Sequence, residues 1–256
     1  MTAERDGKWA AERFRTEHGL GTQPLGDLVT VVEQAAGVDV AILDVGPDEH
    51  GLTMQDPGRG TVLIGVARTI NPMRQRSTLA HELAHVIFED WQDVDVRDND
   101  TSNWSDRTPQ EIRADAFARH LLVPIAGLTT LLKSQRDLPL AALSSIVQRF
   151  LVSPAIGAIA LHQADYIDAA TKEDWEALSS PQLATQFGWT DQYQALQAES
   201  NQRRAPQRLL ARAIAGYQAG VLPVRAIATL RGIPLSQAET ELRDAGVTPP
   251  AEGYLD

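Results

Sequence analysis

The chain has no cysteine among its 256 residues, only 5% aromatic residues and no long apolar run. Without thiols there is no disulfide, no cysteine nucleophile, no iron–sulfur cluster and no cysteine-based zinc site. Any metal must therefore be held by histidine and carboxylate. The stretch LLVPIAGLTTLL is broken by Pro124 and Gly127, well short of the roughly 18 apolar residues that a membrane span requires. The N-terminal MTAERDGKWAAERF is charged and lacks the apolar centre of a secretory signal, so a cytoplasmic protein is expected. Basic residues are also scarce, 23 against 34 acidic ones, and the net charge of -11 argues against a broad nucleic-acid coat.

What remains is an apolar fraction of 43%, ample for a core in one large domain or two modest ones. Charge is unevenly spread along the chain. Residues 89–107 hold seven acids against Arg97 and Arg107, whereas residues 201–231 hold Arg203, Arg204, Arg208, Arg212, Arg225 and Arg231 and no acid. A solvated loop and a solvated helix face are the plain readings of the two segments.

Apolar residues recur at helical spacing over 8–18 and 25–36, with Gly37 placed to end the second helix. VDVAILDV, GLTMQ and TVLIGVA read as short strands, with the turn DPGRG before the last of them. Together they predict a small antiparallel sheet over 38–66. Asn71-Pro72 and Thr108-Pro109 each place Pro at a first helical position, opening PMRQRSTLAHELAHVIF and PQEIRADAFARHLLV. Beyond Pro124 the pattern is helical throughout. Residues 139–163 read as helix, turn, helix, and residues 206–245 repeat that arrangement, with Gly220 and Gly232 as stops and a capping box from Ser236 to Glu239. The predicted class is α+β, a small sheet packed on two helices and followed by an all-helical C-terminal region.

The sharpest motif is His81-Glu82-Leu83-Ala84-His85, which uses two of the chain's six histidines. On a helix, i and i+4 stand one above the other on the same face, so both imidazoles can reach one ion. Leu79, Leu83, Val86 and Ile87 form an apolar stripe that would pin this helix into a core, and a metal site needs such rigid support. Glu82, about 100° round the helix, can reach water beside the ion without ligating it. A catalytic zinc has three protein ligands, so a third must come from elsewhere. In the pattern HExxHxxGxxH the Gly and the third His would fall on Phe88 and Trp91, which excludes it. Downstream acids and His120 remain. Glu111 and Asp115 form E-x-x-x-D on the second helix, again on one face, as ligand and as acceptor of a ligating histidine's free N–H. Glu111 also fits a capping box with Thr108, and spacing alone does not decide between cap and ligand.

RSTLAHELAHVIF followed by EIRADAFARHLLVP resembles the ImmA/IrrE metallo-endopeptidases, a gluzincin-like family whose members carry a TLAHELGH-like helix and an E-x-x-A-[ND]-x-F-A-x-x-LL-x-P helix. The resemblance covers about residues 25–165 and extends to IVQRFLVSPAIGAIALHQ, similar to the helix-turn-helix-like segment that usually follows the peptidase. It departs at Ala84, where Gly is common, and at Gly157-Ala158, where an Arg is often found. It implies a zincin-like domain over 1–125 and a helix-turn-helix-like segment over 126–170, while the helical pattern alone predicts a C-terminal helical domain over 171–256 of unassigned role. It further implies His81, His85 and Glu111 as ligands of zinc, with manganese able to replace it, Glu82 as catalytic base and Asp115 behind a ligand. Members commonly cleave a helix-turn-helix repressor. Here that repressor is expected to be a separate polypeptide, because no DNA-binding domain precedes the motifs.

Three further expectations follow. Arg76, His120, His162 and Tyr166 are the candidate donors to an oxyanion, each better suited to a structural role. TVLIGVA is the expected docking strand for an extended substrate. The acidic stretch between the two motif-bearing helices is placed to screen the cleft. The rival readings are a DNA-binding or partner-binding regulator with a structural or vestigial metal site. Residues 154–163 offer only His162 and Gln163 to read bases, and SQAETELRDAG is acidic, so neither suits a recognition helix.

Overall fold

The computed structural model describes residues 2–46, 51–55, 58, 60–90, 108–133 and 138–250. Helix α1 (Ala3–Glu17) lies against α4 (Pro109–Leu122), with Ala10, Ala11 and Phe14 buried between them. Gly7 permits the closest approach, because a Cβ there would overlap the Arg113 carbonyl and the Ala116 side chain of α4. Arg15 secures the junction. Its guanidinium donates to the carbonyls of Gly21, Leu121 and Gln23, and burial lowers its pKa to about 10.

Asp27 caps α2 (Leu28–Ala36) by accepting from the Thr30 amide at 3.2 Å, and Gly37 ends it in the left-handed conformation. Three strands follow, β1 (Asp39–Leu43), β2 (Gly51–Gln55) and β3 (Val62–Ala67), in the spatial order β1-β3-β2. The α+β class holds, but the sheet is mixed rather than antiparallel throughout. β2 and β3 are antiparallel, whereas β3 lies between the other two and runs parallel to β1. A parallel pair needs a long connection, which the segment carrying β2 supplies. Alternation in the sequence marks strands but does not set the direction of a non-adjacent pair.

The inner face of the sheet, Val40, Ile42, Ile64 and Val66, is buried, and β2 and β3 pack on α3 (Pro72–Phe88). Ala80, Leu83 and Ala84 of α3 and Ala114, Phe117 and Leu121 of α4 are completely or almost completely excluded from solvent, so these two helices are firmly embedded. The small side chain at Ala84 fits this packing.

The remaining elements are helical: α5 (Ile125–Leu132), α6 (Leu140–Phe150), α7 (Pro154–Gln163), α8 (Ala169–Glu176), α9 (Ser180–Gln186), α10 (Thr190–Ser200), α11 (Gln207–Gln218), α12 (Val224–Arg231) and α13 (Leu235–Asp244). α6 and α7 meet at 111°, and Ser153 caps α7 by accepting from Ile156. α13 begins one residue before Ser236, behind Pro234, so Ser236 sits inside the first turn and the expected capping box does not form. One buried cluster runs from Ala10 to Tyr193; a second is built on Ala213, Ile227 and Leu242. No single helix among the described residues is long and apolar enough to cross a membrane.

Candidate active site

α3 presents His81 and His85 on one face, and α4 brings Glu111 opposite them. His81 Nε2 lies 3.1 Å from His85 Nε2 and 3.2 Å from a Glu111 oxygen, and His85 Nε2 lies 3.7 Å from the other Glu111 oxygen. Donors at the corners of a tetrahedron, each about 2.0–2.1 Å from a central ion, stand about 3.3 Å apart. The triangle therefore fits one small divalent cation. It is also a set of histidine and carboxylate that the absence of cysteine requires.

Local structure explains how Glu111 comes to point at the histidines. The Thr108 hydroxyl accepts from the Glu111 amide at 3.3 Å, which caps α4, while the Glu111 side chain is directed to His81 and His85 instead of returning to the cap. The two roles that the sequence left open belong to different parts of the motif. Thr108 is the cap.

Each histidine is oriented from behind. His81 Nδ1 donates to Asp115 at 3.0 Å, because an ionised carboxylate can only accept, and this leaves Nε2 free to bind. His85 Nδ1 donates in the same way to Asp90 at 3.1 Å. Asp90 is fixed by the Arg113 guanidinium, which itself stacks over the Phe88 ring at 4.0 Å. Sequence reasoning found Asp115 and missed Asp90 and Arg113. Asp90 reaches back only because Glu89 ends α3 in the left-handed conformation (φ 57), and no spacing rule announces that turn.

Glu82 faces β2. The Thr53 hydroxyl donates to its carboxylate at 2.8 Å, and Gly51 leaves space beside it, since a Cβ there would fall 2.8 Å from a Glu82 oxygen. Thr53 is a third residue that sequence reasoning missed. Its signal is tertiary, a strand laid across the helix.

The electrostatics follow from the acids around His81. Burial opposes a charged ring, but the hydrogen bonds and charges of Asp115 and Glu111 outweigh it and raise the His81 pKa to about 10. The same hydrogen bond to His81 lowers the Glu111 pKa. In the metal-free protein a proton supplies the positive charge that these acids favour.

The four candidate oxyanion donors are engaged elsewhere. Arg76 donates to Leu25 and Gly26 carbonyls, His162 to Ile167 and Tyr166 to Lys133. His120 is buried near Glu4 of α1; burial, helped by the charges of Arg119 and Lys8, lowers its pKa to about 4 against the pull of Glu4. The expected docking strand is also corrected. TVLIGVA forms β3, the central strand with both edges paired, whereas β2 is an edge strand beside Glu82. Of the acidic stretch, residues 91–107 lie outside the described residues.

Two embedded helices, one carrying HExxH and the other a carboxylate, set against an edge strand make an arrangement suited to metal-assisted hydrolysis. The family model described as the IrrE N-terminal-like domain of peptidase M78 matches residues 33–162, half of the chain, and spans all of these elements. The chain belongs to this ImmA/IrrE peptidase family. No curated protein matches it closely enough to add a relative.

Proposed function

We propose that the chain is a zinc-dependent endopeptidase that acts in the cytoplasm on a separate helix-turn-helix transcriptional repressor and so relieves repression. The observation that carries this reading is the triangle of His81, His85 and Glu111 with Glu82 held beside it. A divalent cation bound there supplies Lewis acidity towards a carbonyl and lowers the pKa of a water molecule towards about 7.

The chain's own residues do the rest. His81 and His85 offer Nε2 because Asp115 and Asp90 take their Nδ1 protons. Glu82 removes a proton from water and returns it to the departing amine. The Thr53 hydroxyl keeps the Glu82 carboxylate turned to the open side of β2. The outer edge of β2, which carries no strand among the described residues, receives the substrate backbone in extended form.

A DNA-reading role has less support. The second helix of the α6–α7 pair leaves only Gln163 exposed, and a recognition helix must offer several side chains to the major groove.

The test is to supply purified chain and zinc, or manganese, with a helix-turn-helix repressor encoded in a neighbouring reading frame, and to map any cut. Cleavage is expected from the wild type and not from Glu82→Gln. Undiminished cleavage by the variant removes the catalytic assignment, and an intact repressor after co-expression with the wild type removes the substrate assignment.

A further inference from the structure

When one face of a sheet packs on helices and the other faces solvent, the outward positions are usually polar. Here they are not. Opposite the buried face, alternation and register place Asp39, Ala41 and Leu43 of β1, Leu63 and Gly65 of β3, and Leu52 and Met54 of β2. Asp39 is the one charge in this set, and Arg208 neutralises it at 2.8 Å. Leu52 and Met54 are exposed, at 39% and 50%.

This apolar face forms one wall of a groove of about 570 Å³. The other wall comes from residues 203–206, Leu209 and Arg212 of α11, and Thr229 and Leu230 of α12. Arg204 is paired with Asp27 at 2.9 Å, but Arg203 and Arg212, both exposed, have no ion pair among the described residues. In a chain of net charge -11, a largely apolar groove with two guanidinium groups that have no ion pair among the described residues favours an apolar segment that carries acids.

The groove and Glu82 lie on opposite faces of the sheet and share strand β2. Thr53 of β2 touches Glu82, and the next two residues, Met54 and Gln55, line the groove. A peptide paired along the β2 edge points successive side chains to the two faces, so one segment can lie by Glu82 on one face and reach towards the groove side on the other. We infer that this groove is an exosite that docks an acidic, leucine-rich segment of the protein substrate beside the bond to be cut. The inference rests on the peptidase reading for the identity of the occupant, and on the groove alone for its chemistry.

The experiment uses the full chain carrying Glu82→Gln, loaded with zinc so that nothing is cleaved, and fluorescein-labelled peptides of about ten residues read by anisotropy. The alternating Leu/Glu peptide is expected to bind saturably, with affinity falling as salt rises. Leu/Lys and Ser/Glu peptides are expected to bind at least about tenfold more weakly, because each lacks one of the two complementary features. Arg212→Glu and Met54→Glu, both at exposed positions, are each expected to weaken the Leu/Glu peptide by a similar factor. Unchanged zinc affinity and circular dichroism establish that both variants are folded. The absence of saturable binding, equal binding of the Leu/Lys peptide, or binding indifferent to both variants would overturn the exosite. So would sedimentation showing a wild-type dimer that Met54→Glu dissociates, since a second copy would then fill the groove. If the peptide binds as expected but no repressor is ever cut, the docking face stands and only the peptidase reading falls.

Discussion

The helices around His81 and the helices that close the chain are held by different means. α3 and α4 contribute side chains that are wholly excluded from water, and nearly every charged group beside them has a specific partner. Among the described residues the second cluster is built on three buried side chains, Ala213, Ile227 and Leu242, with partly buried neighbours such as Leu210 and Ile214. The segment leading into it is fastened to the rest by polar contacts: Arg204 to Asp27, Arg208 to Asp39 and the Gly37 carbonyl, and the Gln207 amide to Glu33. A site that must keep three ligand atoms within a few tenths of an ångström needs the first kind of support. A surface that receives a variable peptide does not.

The largest expected effect breaks the chemistry and leaves both regions folded. Glu82→Gln should lower hydrolysis by about 10²–10⁴-fold, the contribution of a positioned general base, with metal affinity and melting temperature unchanged. Removing the support behind the ligands comes next. Asp90→Asn and Asp115→Asn should each weaken zinc binding by about 10–100-fold in a chelator competition, and a silent Asp90→Asn would reduce its contact with His85 to coincidence.

Matched truncations sharpen the contrast between the two cores. Leu83→Ala removes a side chain with no exposure and should cost about 2–5 kcal/mol in denaturant unfolding, towards the upper end. Leu242→Ala, in the thin cluster, should fall at or below the lower end of that range and leave zinc affinity untouched.

A further effect is a pH dependence confined to the site. The folded His81 pKa of about 10 lies above the ordinary value of 6.5. The stability this provides to the metal-free protein is complete below about pH 6.5 and is lost as pH rises through about 10. Thermal melts of the metal-free chain should decline over that window, and His81→Gln should flatten the decline. Melts of α11–α13 followed by a local probe should show no such slope.

The same contrast explains what could be read from the sequence. His81, Glu82 and His85 are legible because a helix converts spacing into geometry, and so are Glu111 and Asp115 once their helix is recognised. Asp90 is not legible, because it depends on one left-handed residue after α3. Thr53 depends on which strand crosses Glu82, and the direction of β1 depends on β3 entering between its neighbours; neither is local. The arginine-rich stretch looked like a solvated face. Arg204, Arg208 and Arg231 instead pair with Asp27, Asp39 and Glu241, which charge counting could not have assigned.

The two edges of the sheet are unequal. Arg204 exchanges two backbone hydrogen bonds with Ile42, through its carbonyl at 2.9 Å and its amide at 3.2 Å, and so occupies the outer edge of β1. The outer edge of β2 has no strand on it among the described residues. A sheet open on both sides can add copies without end, whereas one blocked on a single side can pair with only one further copy of itself. Two copies paired edge to edge through β2 would each end at the β1 edge that Arg204 occupies, so that route leads to a dimer and not to a fibre.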